Sequence, residues 1–115
     1  MSVFIQWNMH SMNSNTEELN ILLSDFNPDV VRLQETQLKA DTSIAFKHYS
    51  AYHRPGDNSA GMVHGGTALL VKSSVPHQEI TLHTSLQAVA VRATCFKTVT
   101  IFTARQHSLL CRALY

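Results

Sequence analysis

Ser2-Val3-Phe4-Ile5-Gln6-Trp7-Asn8 and Asn27-Pro28-Asp29-Val30-Val31-Arg32-Leu33-Gln34-Glu35 frame the stretch that decides how this chain folds. The first segment is β-branched and aromatic and predicts a strand over residues 2–8, with Val3, Ile5 and Trp7 on one face and Phe4, Gln6 and Asn8 on the other. His10 to Asn15 is loop chemistry, and Asn15 followed three positions later by Glu18 matches a capping box that opens a helix. Leu19, Leu22, Leu23 and Phe26 recur at helical spacing and give that helix one apolar stripe to bury. Pro28 disfavours helical geometry at Asn27 and stops it. Val30 to Glu35 follows as a second strand, with Val31, Leu33 and Glu35 on one side and Val30, Arg32 and Gln34 on the other. Strand, helix and strand in so short a span predict a βαβ-like unit with both strands in one sheet. Asn8 and Glu35 then each end a strand.

Outward from this unit, Tyr49 to Arg54 reads as a short strand, and Pro55-Gly56-Asp57-Asn58 as a turn. Gly65-Gly66 marks a tight turn or a close backbone approach. Three further strands are expected at Thr67 to Lys72, Gln87 to Thr94 and Val99 to Ala104, with Pro76 separating the first from the second. Thr67 to Val71 is apolar on both faces, as a strand covered by other layers should be. Arg105 to Tyr115 breaks the pattern, with Leu109, Leu110 and Leu114 at helical spacing. There is no internal repeat or low-complexity tract.

Composition bounds the function classes. Leu, Ile, Val and Phe supply 31 of the 115 residues, above the roughly 20% below which chains stay disordered. One modest core is expected, and so one domain or part of one. The formal net charge of +1 excludes a whole-chain field directed at nucleic acid, so any such binding must come from a local site. Cys95 and Cys111 are too few and too far apart for a disulfide framework or a thiolate zinc site. The longest apolar run is far below the roughly 18 residues needed to span a bilayer, and the N-terminus lacks the pattern of a signal peptide. A soluble, intracellular chain with no membrane partner is expected.

Asn8 and Glu35 are the residues that can carry chemistry. A carboxylate and an amide oxygen at neighbouring strand ends are hard ligands suited to Mg²⁺, which takes few protein ligands and keeps its other positions for water or substrate phosphate. The seven histidines form no HExxH pair and have no CxxC partner, and the serines lack the elbow of an acyl hydrolase. They read as loop and surface residues.

Gln6-Trp7-Asn8, Asn27-Pro28-Asp29-Val30, Leu33-Gln34-Glu35-Thr36, Gly65-Gly66 before Ala68-Leu69-Leu70-Val71-Lys72, and Leu86-Gln87-Ala88-Val89-Ala90-Val91 together resemble the start of an endonuclease/exonuclease/phosphatase domain. More narrowly, they resemble the apurinic-like endonuclease domain of jockey-type non-LTR retrotransposon polyproteins, where it precedes a reverse transcriptase. The match runs over about residues 3–103. It implies an α/β fold, the N-terminal half of a four-layer αββα sandwich of the deoxyribonuclease-I-like kind, incomplete over this length. It also implies Mg²⁺-dependent hydrolysis of DNA phosphodiesters, with target nicking for retrotransposition, a reverse transcriptase domain in the full polyprotein, no small-molecule cofactor, and work in the nucleus. Glu35 matches the family's metal-binding glutamate and Asn8 the asparagine that positions phosphate and nucleophile, while Gln37 and Lys39 fall where the DNA backbone would run.

The departures bear on activity. Met9-His10 and Arg32 stand where relatives carry other residue types, and Arg105 replaces the tyrosine that ends the last strand. The Asp-x-Asn and terminal Asp-His pairs of the family have no counterpart here; Asp25-Phe26-Asn27 has the first spelling but falls at a helix end. Residues 1–104 are therefore expected to be a partial domain and 105–115 a divergent tail, frameshifted or truncated. Such a chain is expected to be inactive in isolation, a fragment of a nuclease; the alternative is a non-catalytic retroelement remnant or interaction module. The resemblance further implies that Leu69, Val71, Val89 and Val91 lack their covering sheet and leave an exposed face that drives self-association.

Overall fold

The computed structural model describes residues 2–59, 61–84, 87–94 and 98–104. β1 (Phe4–Asn8) leads through α1 (Met12–Phe26) into β2 (Val30–Gln34), and the two strands pair in parallel with Phe4 opposite Val30 and Asn8 opposite Gln34. The βαβ expectation holds because the leucine face of α1 needs a sheet to cover and the crossover supplies one. β6 (Thr67–Lys72) pairs antiparallel with β2, and β3 (Tyr49–Arg54) antiparallel with β6, giving the order β1-β2-β6-β3. A second sheet has the order β7-β8-β9, from β7 (His77–Ile80), β8 (Ala88–Thr94) and β9 (Thr98–Ala104). β4 (Asp57–Ser59) and β5 (Met62–His64) form a separate small hairpin.

Two apolar clusters hold the layers together. Met12, Leu19 and Leu23 of α1 pack on Val31, Leu33, Ala68 and Leu70 on one face of the first sheet. On its other face Val30, Leu69 and Val71 pack on Val89, Val91, Ala93, Val99 and Ile101 of the second sheet. The Ala68-Leu69-Leu70-Val71 run of β6 is thus apolar and buried on both faces because it sits between two layers. This corrects the expectation of an uncovered face, since Leu69, Val71, Val89 and Val91 are all buried, each pair covering the other. The described residues form helix, sheet and sheet, three of the four layers that the sandwich implies.

Several boundaries differ from the sequence expectation. α1 starts at Met12 with Ser11 as its N-cap, and Asn15 is not the cap; it sits at a kink and donates its side-chain amide back to the carbonyls of Met9 (2.7 Å) and Ser11 (3.0 Å). The helix begins early because Ser11 and Met12 donate their otherwise orphaned N–H groups to the carbonyls of Glu35 and Thr36. Phe26 is 62% exposed where the helix runs past the core, and Met12 takes a buried place instead. Asp57 and Asn58 lie in a strand, with the reversal displaced to Gly61, whose φ is +77°. Met9, one of the departures, is a buried member of the helix-side core. The segment 105–115 lies outside the described residues.

Candidate active site

Parallel pairing puts the C-terminal tips of β1 and β2 at the same end of the sheet, with Asn8 opposite Gln34, the residue before Glu35. β6 runs the other way, so its first residue, Thr67, pairs with Gln34 and brings Gly65 and Gly66 to that end. In the second sheet, Val89 near the start of β8 pairs with Thr103 near the end of β9. A hydrogen bond from Gly66 N–H to Gln87 Oε1 (2.8 Å) ties the two sheets together there. One rim of the sandwich thereby collects Asn8, Glu35, Thr36, Thr67, Gln87 and Thr103.

The backbone at this rim is clamped from both sides. Met9 and Ser11 N–H donate to the carbonyls of Gln34 (2.9 Å) and Glu35 (2.8 Å), while Thr36 and Gln37 N–H donate to those of Gly66 (3.3 Å) and Gly65 (2.8 Å). Glu35 and Gln37 are held at φ +54° and +55°, and His10 and Ser11 at +52° and +108°. Left-handed geometry at non-glycine residues is strained and persists only where surrounding bonds overdetermine it. Gly66, at φ +89°, has no room for a side chain, because a Cβ would lie 2.5 Å from Thr36 Oγ1 and 3.3 Å from the Gln37 nitrogen.

Asn8 shares its sheet face with Gln34 and Val30, the face turned toward the second sheet. Its amide oxygen is buried, and Gln6 Nε2 donates to Gln34 Oε1 beside it (3.2 Å). Strict alternation from Val31 and Leu33 would carry Glu35 to the helix face, but the strand ends at Gln34 and the positive φ of Glu35 interrupts that period. Glu35 is half-buried. Around the two tips, the hydroxyls of Thr36, Thr67 and Thr103 are buried with no hydrogen-bond partner among the described residues. Each such group left unmet costs about 1–3 kcal/mol, so three at one rim single it out as the candidate site. Of the further site residues expected from sequence, Gln37 is half-buried within the clamp, and Lys39 is exposed just beyond it.

The fold and its polar rim agree with what comparison shows: the model of the Endonuclease/Exonuclease/phosphatase family matches residues 5–106. The chain belongs to this family. Among curated proteins it is similar to the RNA-directed DNA polymerase from mobile element jockey of Drosophila melanogaster, 33% identical over 75 residues, and to that of Drosophila funebris, 33% identical over 73. The matches take in 65% and 62% of this chain and 8% of each relative, so the chain spans a small part of the proteins it matches. Among solved structures, a 3′ phosphatase from Neisseria bound to a product DNA hairpin superposes with a TM-score of 0.58 at 20% identity. An AP endonuclease from Archaeoglobus fulgidus superposes at 0.51 and 17% identity. Each alignment covers 87% of this chain and 40% of the other. These neighbours share the fold, of which this chain makes up a part.

The donor chemistry at the rim of this family member fits Mg²⁺ in kind. The groups present are one carboxylate, an amide oxygen and buried hydroxyls, all hard oxygen donors, and no cluster of three His, Cys, Asp or Glu side chains occurs among the described residues. A single carboxylate suits an ion that takes one or two and completes its shell with water and phosphate. Two histidines are engaged elsewhere: His53 Nε2 lies 3.0 Å from the Thr42 carbonyl and His77 Nε2 lies 2.8 Å from the Tyr52 hydroxyl. Thr36, Thr67, Gln87 and Thr103 were not singled out as site residues from sequence. The available signal was positional, a polar residue at the rim end of a strand that is otherwise apolar.

Proposed function

We propose that this chain carries the N-terminal part of a DNA phosphodiesterase domain, extending to residue 104, from a jockey-type retroelement polyprotein. The observation that carries the reading is the meeting of two strand tips, Asn8 and the residue before Glu35, at a strained rim with buried unpartnered hydroxyls. Glu35 would hold Mg²⁺ with Asn8 beside it, and the ion supplies charge stabilisation to a phosphoryl oxygen and a leaving alkoxide. Asn8 orients the scissile phosphate through its amide. The clamp of Met9, Ser11, Gly65 and Gly66 on residues 34–37 fixes the position of the carboxylate. Gln37 and Lys39 continue from the rim along the loop and would follow the DNA backbone, with Lys39 as the phosphate contact. The names of the curated relatives support a retroelement setting, which brings a reverse transcriptase domain, chromosomal DNA and the nucleus as context.

By itself the chain does not turn over DNA in this reading. Phosphodiester hydrolysis needs positioning, charge stabilisation and water activation acting together, of order 20 kcal/mol in all, and the chain offers two groups of that set. A plasmid-nicking assay with Mg²⁺ should give background rates for both the chain and Glu35→Ala; nicking that depends on Glu35 would show that the two groups suffice. With the expected sheet face covered, self-association would instead have to use the edge of β1, where Phe4 and the preceding Val3 are 39% and 36% exposed. A monomer at all concentrations in sedimentation would remove that part.

A further inference from the structure

At the edge of the sandwich formed by β3 and β7, Tyr52 and His77 close the gap between the sheets through their hydroxyl–Nε2 contact of 2.8 Å. Arg54 and Glu79 lie two residues further along the same strands, and alternate residues of a strand share a face. They too look into the gap, yet no hydrogen bond or ion pair joins either side chain to another described residue. Both line a cavity of about 180 Å³, together with Ile80, Thr81, Leu82, Ala88 and Val89. Arg54 pairs with Thr67, which pairs on its other side with Gln34. The cavity therefore sits at the same rim as Glu35, two strand spacings or about 10 Å away.

A guanidinium only donates and a carboxylate only accepts. A ligand that satisfies both presents acceptors on one edge and donors on another. Guanine has this pattern, with O6 and N7 for an arginine and N1–H and the N2 amino group for a carboxylate. No other base offers a carboxylate two adjacent N–H donors while keeping an acceptor pair for an arginine: adenine and cytosine present one amino group and thymine one ring N–H. The volume equals that of about six waters, on the scale of a single base and below that of a base pair. We infer that this cavity is a base subsite that takes an unpaired guanine from the strand whose phosphate lies at the Asn8–Glu35 rim. The inference rests on the reading of that rim as a nucleic-acid site. It adds to it a residue pair that selects the nucleotide next to the phosphate, with Arg54 and Glu79 as its specificity determinants.

Fluorescence anisotropy with the whole chain and 5′-labelled trinucleotides, differing only in a central G, A, C or T between two thymidines, reads the subsite without requiring cleavage. The G-containing probe should bind about tenfold tighter than the others, the scale of one good bidentate contact. Glu79→Gln, at an exposed residue where the substitution conserves shape, should abolish most of that preference by weakening the G probe relative to the other three. Equal affinity for all four probes, or a preference that survives Glu79→Gln, would overturn the subsite and leave the rim's nucleic-acid role standing. Binding of none of them would overturn both. A fall in stability of Glu79→Gln with no change in base preference would assign Glu79 a structural role and also overturn the inference.

Discussion

The two ends of the first sheet are built on opposite principles. At the end where α1 stops, Asn27 adopts a left-handed cap and donates its N–H to the Leu23 carbonyl, and Tyr49 donates its hydroxyl to the Pro28 carbonyl at 2.6 Å. Asp29 takes the Val3 N–H at 3.1 Å and an ion pair from Lys72 at 3.5 Å, while Lys72 also donates to the Asn27 carbonyl. Polar groups there meet partners. At the opposite end, threonine hydroxyls are buried without partners among the described residues, and Glu35 and Gln37 sit at positive φ. Left-handed residues occur at both ends, Asn27 and His48 at the first, closed end and Glu35 and Gln37 at the second, so the difference lies in the hydrogen bonds left unmet among the described residues. That asymmetry is what a binding or catalytic rim needs, because groups already satisfied by the protein are not available to a ligand.

Substitutions at the two ends should therefore behave differently. Gly66→Ala should have the largest effect, a loss of about 3 kcal/mol in urea unfolding, because it adds left-handed strain to a contact with Thr36 and the backbone of the clamp; a loss under about 1 kcal/mol would mean the clamp yields. Asp29→Ala should destabilise by about 1 kcal/mol, since it removes the acceptor of the Val3 N–H and one of the two partners of the Lys72 ammonium at the closed end. Thr67→Val or Thr103→Val at the rim should do the reverse, leaving stability unchanged or raising it by up to about 1 kcal/mol, as an unmet hydroxyl becomes a methyl. Destabilisation there would show that these hydroxyls have partners after all.

The smallest effect concerns pH. Burial, and secondarily the charge of Asp29, holds the Tyr49 phenol above its ordinary value of 10.0. The fold favours the neutral phenol, so the contribution is complete below about pH 10, the unfolded value, and is lost as pH rises toward the folded one. Tyr49→Phe should flatten the alkaline limb of the stability profile at the closed end; an unchanged limb would place the titration elsewhere.

Much of the first sheet was legible because its strands carry strong periodicity. Tyr49–Arg54 and Thr67–Lys72 fall where the sequence predicts them, and β1 and β2 end within one or two residues of expectation. β7 was not legible, since His77-Gln78-Glu79-Ile80 is polar and gains its strand character only by pairing with β8. The β4–β5 hairpin was hidden in the same way, with three-residue strands whose pairing outweighs the turn chemistry of Pro55 to Asn58. At the candidate site, Asn8 and Glu35 were visible as polar ends of apolar strands. The strain at Glu35 and Gln37 was not, because neither residue type announces a positive φ and the cause lies in hydrogen bonds to segments far away in sequence. The covering of Leu69 and Val71 by Val89 and Val91 was misjudged for a related reason: face-to-face packing of two sheets leaves no local trace.

Paramagnetic broadening by Mn²⁺, standing in for Mg²⁺ on the ¹⁵N-labelled chain, tests the convergence of the two tips most directly. The amides of residues 8–9 and 35–37 should broaden first and together, and Glu35→Gln should remove the effect while leaving the rest of the spectrum in place. Broadening that begins instead at exposed acids on α1 such as Glu17 and Glu18, or that survives Glu35→Gln, would contradict a shared ion site at this rim.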